Sequence, residues 1–185
     1  MEERMIRPHS IWNVRHIDKD GKVLWEDKEV HNMFHDEGEL VMVTSLFAQA
    51  YSTYGVTPIS NWAMYIGLDN RSSLAEANTL ASLTGEPSGF GYARQILACN
   101  QDGTSGKDFV ITQPAAAYQA ASKTVTFTAS GGAWSAVQNC FLCTHPTATT
   151  SGQYTRLLCS LALSTIRTLQ NGDSLQVSMN IAISE

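Results

Sequence analysis

The chain has 185 residues, enough for one substantial hydrophobic core, with a net charge of −5 and a sequence pI near 5.5. That balance argues against a nucleic-acid surface, which needs a clustered excess of Lys and Arg. No apolar run approaches the roughly 18 residues of a membrane span. Charge is also stacked at one end: residues 1–39 carry 16 charged side chains and residues 40–185 only 13, about 9% of the longer segment against roughly 25% in an ordinary soluble domain. A surface of Ser, Thr, Asn, Gln and Ala suits a subunit held against neighbours, because Lys and Glu are depleted at interface cores. The opening MEERMIRPHS lacks the apolar middle of a secretion signal, so synthesis in the cytoplasm is expected.

Residues 10–17 (SIWNVRHI) supply apolar positions at Ile11, Trp12, Val14 and Ile17, and Asp18-Lys19-Asp20-Gly21 has the chemistry of a tight turn. Lys22 to Val30 returns with Val23, Leu24 and Trp25. This predicts a β-hairpin within an N-terminal arm, residues 1–35, that must lie on the body or on another subunit, since two strands alone are marginal in water. Asp36 to Tyr54 reads as a helix: Asp36 and Glu39 have capping spacing, Leu40, Val43, Phe47 and Ala50 recur with a period of about 3.6, and Gly55 and Pro58 stop it.

From Trp62 onward the pattern is β. Trp62, Met64 and Ile66 alternate with Ala63, Tyr65 and Gly67 before an expected turn at Gly67–Asn70. Ser73 to Leu80 reads as a short helical piece and Thr84 to Gly91 as a Gly/Pro loop. Strands are expected at about Tyr92–Cys99, Asp108–Thr112, Lys123–Ala129, Trp134–Cys143 and Thr155–Ser164. A sixth and last strand is the clearest: after Asn171-Gly172-Asp173, the positions Leu175, Val177, Met179, Ile181 and Ile183 are apolar and those between them polar. The whole predicts a mainly β fold, an antiparallel, jelly-roll-like β-sandwich body over residues 36–185 with one flanking N-terminal helix.

Cys140-Phe-Leu-Cys143-Thr-His145 has the residue types of a half zinc site or a redox pair, but no second ligand cluster completes it. In a strand, Cys140 and Cys143 face opposite sides, so they are read with Cys99 and Cys159 as free, buried thiols. His31 and His35 straddle the strand-to-helix junction without the Glu of a zinc-protease motif and are read as solvated or interface histidines. Meeting their copies across a symmetry axis, they would make assembly sensitive to mild acid. Asp18–Gly21 lacks the ligand pattern of a calcium loop, Gly85–Gly91 lacks a phosphate-binding Lys, and no activated Ser or carboxylate pair stands out. No enzymatic activity, metal or cofactor is expected.

The block Tyr65-Ile-Gly-Leu-Asp-Asn-Arg71, then Leu74-Ala-Glu-Ala-Asn-Thr-Leu80 and Gly85-Glu-Pro-Ser-Gly-Phe-Gly-Tyr-Ala-Arg94, resembles small virion structural proteins of tailed double-stranded DNA bacteriophages. Thr126-Phe-Thr-Ala-Ser-Gly131 and Thr168-Leu-Gln-Asn-Gly-Asp-Ser-Leu175 extend the likeness across about residues 62–184. The resemblance implies a β-sandwich virion part and offers no catalytic residue. Its first implied place is the head surface, as a decoration or cement protein, homo-oligomeric as a trimer and bound to the major capsid protein or other virion subunits. The alternatives are a neck, tail or fibre-attachment subunit, or a host-glycan-binding module with Trp62, Tyr65, Tyr92 and Trp134 as an aromatic platform. Arg7, Trp12, Arg15, Trp25, His31 and His35 are the expected partner-binding residues, because aromatic and Arg side chains dominate interface hot spots. Neither nucleic acid nor membrane is an expected partner.

Overall fold

A computed structural model describes residues 7–47, 63–72, 74–83, 85–99, 108–112, 119–150, 152 and 155–184. Among them, two antiparallel sheets face each other as a sandwich, with one α-helix on the flank. The first sheet runs β2 (Val23–His31), β1 (Arg7–Ile17), β11 (Ser174–Ser184), β7 (Gln119–Ser122), β6 (Phe109–Thr112), with β8 (Val125–Thr128) also on β11. The second runs β3 (Met33–Phe34), β10 (Leu157–Leu169), β9 (Trp134–Cys143), β4 (Ala63–Asp69), β5 (Gln95–Ala98).

The expected arm is built into the sandwich from Arg7 onward. β1 pairs with β11 without a break, from Arg7 opposite Ser184 to Ile17 opposite Ser174. Alternation sends Ser10, Trp12, Val14 and His16 inward, and Leu175, Val177 and Met179 meet them from β11. Ile11 and Ile17, read as part of the same apolar pattern, fall on the opposite face. β7 and β8 lie end to end along β11 with a one-residue register shift, Asn180 facing Ala121 but Val177 facing Val125.

The core between the sheets takes Trp12, Phe127, Leu68, Leu142, Leu161 and their neighbours. A second cluster forms on the far side of the second sheet, where Phe141, Cys143 and Leu157 are covered by Leu80 and Leu83. The run Cys140–Cys143 is therefore buried on both faces, which is why its sequence does not alternate. Gly67 on β4 leaves no room for a Cβ beneath the Phe141 ring.

The helix α1 spans Asp36–Phe47; the rest of the expected helix, to Tyr54, and its stops Gly55 and Pro58 lie outside the described residues, as does Trp62. Among its described side chains the buried positions are Glu37, Gly38 and Val41, and at Gly38 the backbone passes close to Leu158. The segment after β4 differs from the expected helix at 73–80: Ser73 is outside the described residues, turns occupy 76–77, and a single 3-10 turn forms at Leu80–Ser82. The expected turn at Gly67–Asn70 is instead the end of β4, whose ladder to β9 continues to Asp69 opposite Asn139. β3 and β7 were not legible as strands. β3 has two residues and β7, Gln-Ala-Ala-Ser, has no apolar alternation; each exists through pairing with a longer neighbour.

Because Trp12 is fully buried between the sheets, Trp12→Ala is expected to cost about 3–5 kcal/mol in chemical denaturation. Lys28→Ala, on the exposed face of β2, is expected to cost less than about 0.5 kcal/mol.

Candidate interaction surfaces

Four of the buried charges pin the sandwich shut. Asp27 on β2 accepts hydrogen bonds from the Ser164 amide (2.9 Å) and hydroxyl (2.6 Å) on β10, joining one edge of the first sheet to the second. Glu37 at the start of α1 accepts from the amides of Leu157 (2.8 Å) and Leu80 (3.1 Å) and pairs with Arg156 at 3.1 Å. Arg94 lies against Glu86 at 2.5 Å, donates to the carbonyls of His145 (2.7 Å) and Ala148 (2.9 Å), and sits over the Phe141 ring. The fourth is Asp69, which accepts from the amides of Arg71 and Gly85. A buried carboxylate with two or three such donors fixes the backbone that supplies them.

These contacts account for several residues expected to meet partners. Trp12 is in the core, its indole N–H donating to the Ser10 hydroxyl at 2.7 Å. Trp25 is half-buried with the Arg167 guanidinium 5.1 Å from its ring centre. Both indoles thus have partners within their own chain. Arg15 is exposed and pairs with Glu26 at 2.5 Å. Arg7 opens β1, and its side chain lies outside the described residues.

The two histidines part company. His31 is exposed, its ring 6.2 Å from that of His9. His35 is fully buried: Nε2 meets the Ser160 hydroxyl at 2.8 Å and Nδ1 the Glu76 carbonyl at 3.1 Å. Its own carbonyl accepts from the amides of Gly38 and Glu39, so it begins α1 and ties that helix to β10.

The four cysteines are free thiols, Cys140 facing the inter-sheet core and Cys143 the outer cluster. Burial pushes the Cys143 thiol up to about 11 and Cys159 up to about 12, so neither offers a thiolate. Asp18 takes the amides of Asp20 and Lys22 on its own carboxylate, which makes the Asp18–Gly21 segment a self-capped hairpin turn. Tyr92 and Trp134 pack edge to face at 5.6 Å inside the sandwich and Tyr65 is half-buried, so these aromatics form no exposed platform.

Among the described residues, three of the open surfaces stand out. On the outer face of the first sheet, Asn13, Arg15, Glu26, Lys28, Thr124, Gln176 and Ser178 line a shallow, polar groove. At one end of the sandwich the loops gather: Ser130 donates to the Phe90 carbonyl, Gly131 to the Asn171 side chain and Gly172 to the Ala129 carbonyl. Phe90, half-exposed at 49%, stands there between Gly89 and Gly91, all three with positive φ. The third is the edge strand β6, with exposed Val110 and Ile111. The glycines of the 85–91 loop are legible in the sequence, but the exposed ring they carry is not.

A sequence family described as Podophage GP4 fiber I protein gp80 matches residues 55–183, more than two thirds of the chain. The chain belongs to this family. It is thus a structural protein of a tailed-phage virion, as the motifs of residues 62–184 had implied. The match takes in eight of the eleven strands, β4 to β11, and leaves out β1, β2, β3 and α1. No match is found among curated proteins or among solved structures.

Two measurements check the buried groups. Burial lowers the His35 pKa below its ordinary 6.5, an effect that the Glu76 and Ala75 carbonyls and the charges of Glu37 and Asp36 oppose. Protons then bind the unfolded chain more readily, so the His35 contribution is present above pH 6.5 and is lost as pH falls through the lower, folded value. Thermal melts from pH 8 to pH 5 should show a smaller acid-induced loss in His35→Gln than in the native chain. A thiol reagent should modify at most Cys99 in the folded protein and all four cysteines after denaturation.

Proposed function

We propose that this chain is a fibre subunit of the virion, assembling with its own copies and with neighbouring virion proteins, and that its task is mechanical. The observation that carries the reading is the match of residues 55–183 to a fibre-protein family. This favours the fibre-attachment alternative over the head-decoration role and its major-capsid-protein partner.

The physical character of the chain supports the same reading. A two-layer sandwich with its loops and edges pinned by buried Asp27, Glu37, Asp69 and Arg94 holds its shape under load, since opening any of these joints strands a charge in an apolar setting. The outward positions of β11, Ser174, Gln176, Ser178 and Asn180, form hydrogen bonds without the dehydration cost of charge, so they suit a face that other subunits cover.

Antibody labelling of intact particles, with quantitative mass spectrometry of purified virions, tests this. The expected result is label confined to the tail or fibre region, at a copy number set by the rotational symmetry of that assembly. Label spread over the head shell at hundreds of copies per particle would restore the decoration reading.

A further inference from the structure

A sheet edge is a template for another strand, and proteins that remain single blunt their edges with charge, bulges, proline or shortness. Among the described residues, three edges of this sandwich are blunted. β2 carries Glu26, Lys28 and Glu29, with a bulge where Glu29 takes a φ of 51°. β3 has only two residues. At β5 the Ala98 amide already donates to the Asp108 carboxylate at 2.7 Å.

β6 is different. Phe109-Val-Ile-Thr112 holds no charge, proline or bulge, and its ladder to β7 is regular from Phe109 opposite Ser122 to Thr112 opposite Gln119. Val110 and Ile111 are 59% and 62% exposed, the highest values for large apolar side chains among the described residues. Asp108, just before the strand, is matched by the Lys123 ammonium at 2.8 Å.

We propose that β6 is the seam at which two copies of this chain join edge to edge, antiparallel, into one continuous sheet. This rests on the self-association proposed above and supplies its contact. The composition of β6 selects a second copy as the occupant. A two-fold axis perpendicular to the sheet keeps each side chain on its own face and sets the residue on the axis against its own copy. Any charge there would meet its like, and β6 has none. With the axis at Val110, that residue faces Val110 of the partner subunit, while Phe109 faces Ile111 of the partner subunit and Ile111 faces Phe109 of the partner subunit. Every pair is then β-branched or aromatic, the combinations that most favour cross-strand contact. The expected solution state is a two-fold pair, in place of the trimer expected from sequence.

The test uses the full chain with Cys99 replaced by Ser, so that the remaining native thiols are buried. Directly opposed residues in an antiparallel pair lie about 4.5–5.5 Å apart at Cα, within disulfide reach. Under mild oxidation, Val110→Cys should link two chains on a non-reducing gel, while Ile111→Cys should link far less. Light scattering should give twice the chain mass for the native protein and the single-chain mass for Val110→Lys, with unchanged circular dichroism. A native monomer would overturn both the seam and the self-association. An oligomer unaffected by Val110→Lys, or one that Val110→Cys does not link, would overturn the seam alone.

Discussion

The fold depends on one ladder, the unbroken antiparallel pairing of β1 with β11. It brings the two ends of the described chain together and gives the first sheet its centre, with β2 on one side and β7 and β8 on the other. The same ladder sets which side chains face the second sheet. Because side chains alternate strictly, a slip by one residue would turn either Trp12 and Val14 or Val177 and Met179 out of the core. The register is thus held by the burial of both strands at once, and the hairpin cannot leave without opening the sandwich.

The charge asymmetry of the sequence takes its physical meaning from this arrangement. The charged residues of the first 39 positions are concentrated on an edge hairpin and a helix start. There they guard β2, pair with one another as Arg15 does with Glu26, or serve as internal pins, as Asp27 and Glu37 do. The remaining strands carry few charges, and β11 turns Ser174, Gln176, Ser178 and Asn180 outward. Such a body has few charges to keep copies apart, and in β6 it has an edge with none. A virion structural subunit from a phage-fibre family has use for both properties, a rigid interior and an exterior ready to be covered.

Much of the fold could be read from the sequence because its core strands are half-buried. The alternation of Leu175, Val177 and Met179 and the turn residues on either side located β11, and β9 ends where it was expected, at Trp134 and Cys143. Elements that depend on tertiary pairing were not legible: β3 and β7 carry no periodic signal of their own, and the 74–83 segment has a capping pattern but is held as turns by Glu37 and the outer cluster. Candidate contact residues were the least legible. Trp12 and Trp25 have the right chemistry for a hot spot, yet an indole in a strand is equally good core material, and only the partner across the sheet decides. The exposed Phe90 and the bare edge at Val110 follow from backbone geometry and sheet order, which composition does not encode.

From Arg7 onward the N-terminal segment is an integral part of the sandwich rather than an arm free to reach other subunits. Hydrogen–deuterium exchange of the intact chain tests it directly. The account predicts that the amides of β1 exchange as slowly as those of β11 and β9, and that β1 and β11 open together as denaturant is added. Rapid exchange throughout β1, with β11 still protected, would contradict it.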